Sequence, residues 1–413
     1  MNKSYTRLKL ACYTTNVSMA VITNLAPVLF LTFHSLYGIS YSLLGLLAVV
    51  NFTTQLLVDL AFSFFSHKFN IPLSVKLTPF LATVGLVLFA AAPLLFPANV
   101  YLGLLIGTVI FSAAGGFTEV LISPVIAAIP ADDPDREMSK LHSFYAWGTV
   151  LVITVCTLFL LIFGGKRWPI LPLLFALIPF AAFLLFVGTR IPQMEKPERA
   201  SGALQALRER GVGLCILAIF LGGACECTMS QWASSYLEMA LGLPKVLGDL
   251  LGVALFAVAL GIGRTLYAKY GKRLERVLLL SSIGALACYL TAALSPVAAI
   301  GLVACALTGF CTAMLWPGTL TLATQRYPSA GVVLFAAMAA GGDLGASLGA
   351  QLVGVLTDTV AAAPQSATLA LRLGLSAEQL GMKVGLLVGA LFPLAAIFVY
   401  RAIQKSAKHY PKA

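Results

Sequence analysis

The chain has 413 residues, of which 59% are hydrophobic and 10% charged. A soluble globular protein carries about a quarter charged residues, so this composition excludes a soluble fold and leaves a polytopic membrane protein. The net charge of +11 is scattered over short basic pieces between apolar runs, which points to membrane topology and away from nucleic acid.

A membrane-spanning helix needs about 20 apolar residues. By that rule the spans fall near 10–33, 41–66, 74–96, 100–130, 141–164 and 167–190, then near 212–239, 246–268, 274–295, 297–326, 330–357 and 382–404. The first run is longer than the apolar core of a cleaved signal and holds polar residues, so it reads as a first span. The expected fold is all-α, with 12 transmembrane helices as two six-helix pseudo-repeats. Residues 1–190 form one bundle, 191–211 a polar tethering linker, and 212–413 the second bundle. Shifting the second half by about 204 positions aligns Gly38 with Gly242, Leu46-Leu47 with Leu250-Leu251, and Lys68 with Lys272, a weak internal repeat of the transporter kind.

Charge sets the orientation. With the N-terminus inside, Lys3, Arg7, Lys9, Lys68, Lys76, Arg136, Lys140, the linker, Arg264, Lys269, Lys272, Arg273, Arg276, Arg326, Arg401, Lys405, Lys408 and Lys412 all fall in the cytoplasm. Only Lys166, Arg167, Lys245, Arg372 and Lys383 fall outside. Positive residues accumulate on the inner side, so both termini are expected in the cytoplasm of a cell (plasma or inner) membrane. Ser376 and Gln379 have the spacing of a capping box that opens the last helix.

Polar residues recur at helical spacing inside the spans. Span two carries Asn51, Gln55, Asp59 and Ser63. Span four carries Thr108, Ser112, Glu119 and Ser123, with Gly115 and Gly116 between. Span seven carries Gly222, Glu226, Ser230 and Ser234, and span eleven Asp343, Ser347 and Gln351. Residues four apart share a helical face, and lipid offers such a face no partners, so these stripes belong toward a bundle interior or an aqueous path. Glu119 and Glu226 lie mid-span with no basic neighbour in sequence, and intramembrane acids are costly enough to mark function. Asp59 sits late in span two, where it either holds the following loop or serves the site. Asp343 lies in Gly341-Gly342-Asp343-Leu344-Gly345, where close backbone packing is expected. The eight cysteines form neither a disulfide framework nor a metal-ligand spacing, and Cys225 and Cys227, two apart on a helix, point to different faces. No cofactor, metal site or Walker loop is expected, and no enzymatic activity.

The span count, central linker and half-repeat resemble the major facilitator superfamily. Its loop signature between spans two and three is degenerate here: Lys68 fits and His67 stands at the usual Asp. The sister loop from Arg264 to Lys272-Arg273 fits better. By resemblance these loop residues would latch the halves, while Asp59 and His142, by their place at the cytoplasmic ends of their spans, would brace a loop and cap a helix. Within the superfamily the chain is similar to the fucose permease-like sugar–proton symporters. The patches that match are Glu119 five residues before Pro124, Leu141-His142-Ser143-Phe144-Tyr145-Ala146-Trp147-Gly148 at the start of span five, Gly223 to Glu226 followed by Trp232 and Tyr236, Trp316-Pro317, and Gly341-Gly342-Asp343-Leu344-Gly345. The group's acid in span one is missing: Asn24-Leu25-Ala26-Pro27 stands there.

The resemblance implies a secondary transporter of a small polar solute, a sugar or related metabolite, working by alternating access with protons as the coupling ion. Glu119 and Glu226 would serve coupling. Asn24, Gln55, Gln231 and Asp343 would bind solute polar groups, and Tyr145, Trp232, Tyr236 and Trp316 would offer flat apolar faces. Its partners would be the solute, the proton and the lipid bilayer, with no nucleic acid, the chain acting as a monomer. A drug or metabolite exporter of the same fold would share this pattern; a non-transporting receptor or scaffold is the other alternative, though it has little need for polar stripes on many spans.

Overall fold

The computed structural model describes residues 3–65, 68–130, 134–192, 210–327 and 331–407. Most of the linker 191–211 therefore lies outside the described residues, as does His67. Among the described residues, eleven helices are long and apolar enough to cross a membrane, and a bent pair makes a twelfth. In chain order they are α1 (Tyr5–Val28, bent by 45° into Phe30–Tyr37), α2 (Tyr41–Phe62), α3 (Ile71–Ala90), α4 (Val100–Ala127), α5 (Lys140–Phe163) and α6 (Gly165–Phe186). Then follow α7 (Gly211–Ala240), α8 (Lys245–Tyr267), α9 (Leu274–Leu294), α10 (Ala298–Arg326), α11 (Ala337–Ala362) and α12 (Ala377–Lys405). An all-helical architecture follows from the solvent, because inside hydrocarbon every backbone N–H and C=O must find its partner within the chain.

The helices divide into two compact units, Met1–Ile39 with Val50–Pro197 and Ser40–Val49 with Glu198–Ala413. The start of α2 thus belongs with the second unit. There the Asp358 carboxylate accepts from the backbone N–H of Tyr41 (3.1 Å) and Ser42 (2.6 Å), satisfying two donors that a helix start leaves open.

Small residues let helices approach closely, as they do where lipid supplies no hydrophobic contrast. In the first unit, Gly85 of α3 lies on the backbone of Phe111, and Gly107 of α4 on that of Phe89. Trp168 is fully buried beside Phe33 and Phe89, with its indole N–H donating to the Tyr37 hydroxyl at 2.9 Å. In the second unit, Gly341, Gly345 and Gly349 of α11 face Ile216, Phe220 and Ala224 of α7 in register. The Ser376–Gln379 capping box read from the sequence is formed at the start of α12, with both reciprocal hydrogen bonds in place.

Where the helix leading into α5 begins, Glu137 ties it to α1. Its carboxylate accepts from Tyr13 (2.7 Å) and pairs with Lys140 (2.8 Å) and Lys9 (3.0 Å). The Lys140 ammonium first, then the Tyr13 hydroxyl and Lys9, hold this carboxyl down at about 2, from an ordinary 4.5. A folded value below the unfolded one gives stability that is present above the unfolded pKa and is lost as pH falls through the folded one. Glu137→Gln is therefore expected to lower the melting temperature at neutral pH, with the difference from wild type closing as pH drops from 4.5 toward 2. A deficit that stays constant over that range would show that packing, and not charge, holds α1 to α5.

Candidate functional site

In the first unit the polar stripe of α2 meets that of α4. Asn51, Gln55 and Asp59 are buried. The Asn51 side-chain carbonyl accepts from the Gln55 amide (2.8 Å) and the Ser112 hydroxyl (2.7 Å). Gly115 and Gly116 make this contact possible. A Cβ on Gly115 would come within 3.2 Å of the Gln55 side chain, and one on Gly116 would press on Val58. With no side chain in the way, α4 lies against α2, and one turn further along Glu119 comes within electrostatic reach of Asp59.

These two carboxylates are differently placed. Asp59 is buried, and its Oδ1 has no hydrogen-bond partner. Glu119 is exposed on the surface of its unit. Among the described residues neither carboxylate takes part in an ion pair. Nearby, the Asn24 amide donates to Ala20 (2.9 Å) and Thr149 (3.3 Å), and Tyr145, on α5, accepts from Thr149 through its carbonyl (3.2 Å). His142 is exposed at the start of α5. Lys68 is exposed, with its ammonium 5.2 Å from the centre of the Phe65 ring.

The second unit has an acid–base pair instead. Glu226 of α7 lies 3.6 Å from a terminal guanidinium nitrogen of Arg264 on α8. The Arg264 Nε donates to the Ala313 carbonyl at 3.2 Å. That carbonyl is free because of Pro317: proline has no N–H, so the residue four before it loses its helical donor. Helix α10 is accordingly interrupted between Thr312 and Pro317. Trp316, in the interruption, is half-buried and lies against Gly342 and Gly223, where a Cβ on Gly342 would strike its ring. Asp343 is buried on α11.

Three expectations need correction. The loop signature makes Arg264 a cytoplasmic gating residue, but from a backbone inside α8, where the span limits 246–268 expect it, its guanidinium reaches the middle of α7 and α10. A long side chain rooted near a helix end can carry its charge along the bundle. Trp232 and Tyr236, expected to present flat faces to a solute, are both fully buried. The Trp232 indole donates to the Ala350 carbonyl at 2.7 Å, and the Tyr236 hydroxyl donates to the Ala292 carbonyl. Their rings are packing groups between helices. Gln231 is also buried, on the same turn. Lys272 and Arg273 are exposed before α9, and Arg273 has a left-handed backbone (φ 57°) at the helix start.

The sequence pattern does not announce a further charge cluster in this unit, built around a buried Asp249. Asp249 of α8 is fully buried, accepts from Ser234, and pairs with Lys245 at 3.2 Å. Glu238 lies 3.8 Å from the same ammonium. Both segments here, Tyr236–Ala240 and Gly248–Ala254, are π-helical, a conformation that often marks functional places in helices. The four-residue spacing of Lys245 and Asp249 is visible in the sequence; the approach of Ser234 across helices is not.

A family model described as the Major Facilitator Superfamily matches residues 11–350. No curated protein matches the chain by sequence. Solved structures of similar fold include a bacterial homolog of the human lysosomal transporter Spinster, at 14% identity and TM-score 0.71, covering 98% of this chain and 97% of that one. The nucleoside transporter NupG is similar at 15% identity and TM-score 0.69, covering 98% and 100%. The E. coli fucose:proton symporter FucP, in a single-residue variant, is similar at 17% identity and TM-score 0.62, covering 97% and 99%. At these identities the likeness is one of fold.

Proposed function

Because the chain belongs to the Major Facilitator Superfamily, we propose that this transporter moves a small polar solute, a sugar or sugar-like metabolite, by alternating access and in company with protons. The observation that carries the proton is the Asp59–Glu119 pair. Two carboxylates within electrostatic reach of each other repel when both are charged, and one proton between them removes the repulsion. Glu119 is exposed on its unit and Asp59 is buried, so Glu119 exchanges the proton with water and Asp59 backs it. This replaces the span-one acid that the fucose permease-like pattern has and Asn24 to Pro27 lacks. Fucose:proton and nucleoside transporters among the structures of like fold are consistent with a hydroxyl-rich solute.

On this reading the two halves are residues 1–190 and 212–413, joined by 191–211. The chain sits in the cell membrane as a monomer, with its basic loops and both termini in the cytoplasm. The candidate solute-binding residues are Asn24, Gln55 and Tyr145 in the first half and, separately, Trp316 and Asp343 in the second. Lys68, His67, Lys272 and Arg273 brace the loops.

The direct test is flux. Purified protein in liposomes, given an acid-outside gradient and a panel of labelled hexoses, pentoses and nucleosides, is expected to accumulate at least one of them. The same compound is expected to raise the melting temperature in detergent, as any ligand specific for the folded state does. Silence in both assays across the panel would overturn the proposal.

A further inference from the structure

Arg264 and Glu226 are a pair that neither partner completes. A guanidinium has five N–H donors. Here Nε serves the Ala313 carbonyl, and a terminal nitrogen stands 3.6 Å from Glu226. Charge-assisted N–H···O bonds run about 2.7–2.9 Å, so this is a loose ion pair. Glu226 is equally short of partners, since its Oε2 is buried and accepts no hydrogen bond. The Arg264 side chain is nevertheless 41% exposed and that of Glu226 21% exposed. Both headgroups lie at mid-span depth, because Glu226 and Ala313 are near the middles of α7 and α10. Charge at that depth faces a water-filled path and not lipid. The open edge of the guanidinium is therefore reachable by a solute.

We infer that Arg264 is a binding residue for a carboxylate on the transported solute, whose class is accordingly a sugar acid or similar hydroxylated monoanion. In the empty site Glu226 neutralises the guanidinium. On binding, the solute's carboxylate takes that place with the paired geometry Glu226 does not achieve. The Nε bond to the carbonyl freed by Pro317 restrains the fork at this place. One arginine beside one acid suits a monoanion, whereas a phosphate dianion would call for further cations. Trp316, in the same helix interruption, presents an apolar face for the carbon skeleton. The inference rests on the reading of the chain as a transporter of small polar solutes and narrows its solute class.

The experiment uses matched acid and neutral probes, namely gluconate and glucuronate against glucose, galacturonate against galactose, and lactate against glycerol. Thermal shift and liposome counterflow are measured for wild type, Arg264→Gln, Arg264→Lys and Glu226→Gln. At least one acid is expected to bind wild type more tightly than its neutral partner. Arg264→Gln is expected to weaken that acid at least about tenfold, the worth of one hydrogen bond to a charged group, while Arg264→Lys restores part of the loss. Glu226→Gln, which removes the competing carboxylate, is expected to tighten the acid. If every neutral probe binds as well as its acid partner, or if Arg264→Gln keeps the acid preference, the inference fails while neutral-solute flux leaves the transporter reading intact. If no probe binds or moves, both fail. A purely structural ion pair would lower stability in both variants without any change in the preference for acids.

Discussion

Glu119→Gln is expected to abolish solute accumulation driven by a pH gradient while leaving counterflow exchange in place. Glutamine keeps the size and hydrogen-bonding capacity of a protonated glutamate but cannot release a proton. A carrier fixed in that state still binds solute and still reorients when loaded on both sides, so exchange continues. Accumulation is expected to fall to the level seen with no gradient. Asp59→Asn addresses the buried half of the pair. If the two carboxylates share one proton, they act as a unit, and the effects of residues that act as a unit do not add. The double variant is then expected to be no worse than Glu119→Gln alone, as read by initial uptake rates across external pH. Gradient-driven uptake at wild-type level in Glu119→Gln would remove this residue from coupling. A further loss in the double variant would mean that Asp59 acts separately.

What is legible in the sequence follows the range of each interaction. The spans are legible because hydrocarbon thickness imposes a length and an apolar composition on each one separately. The Ser376–Gln379 capping box is legible because it is complete within four residues. The glycine run at Gly341 to Gly345 is legible as close packing, because small residues have few other uses in a span. The orientation of Trp232 and Tyr236 is not. Both stand well round α7 from the Glu226, Ser230 and Ser234 stripe, but that register does not say what the other face of the helix meets. Arg264 is misplaced when a loop signature is followed through it, although Pro317 carries a clue: it frees the Ala313 carbonyl, which then needs a donor from elsewhere. Glu137 joining Lys9 and Asp358 joining the start of α2 cross more than a hundred residues of chain. No local pattern announces such a pairing.

Gly345→Ala is expected to cost more stability than any other single-methyl change on α11. Gly341, Gly345 and Gly349 run along α11 at four-residue spacing against Ile216, Phe220 and Ala224 of α7. A Cβ at Gly345 would collide with the backbone carbonyl of Phe220, and backbone in a packed helix cannot turn aside as a side chain can. The two helices must separate, and overpacking of that kind costs about 1–3 kcal/mol. The separation would also disturb Gly342, which lies against the Trp316 ring, and through it the interruption of α10 that seats Arg264. The loss should therefore register in two measurements, as a lower melting temperature and as weaker solute binding in whatever protein still folds. Gly213 on α7 is the matched control. Nothing lies within 4 Å of a Cβ placed there, so Gly213→Ala is expected to be neutral or stabilising by up to about 1 kcal/mol from helix propensity alone. If both variants melt like wild type, α7 and α11 are free to slide, and the glycine register is not what holds them.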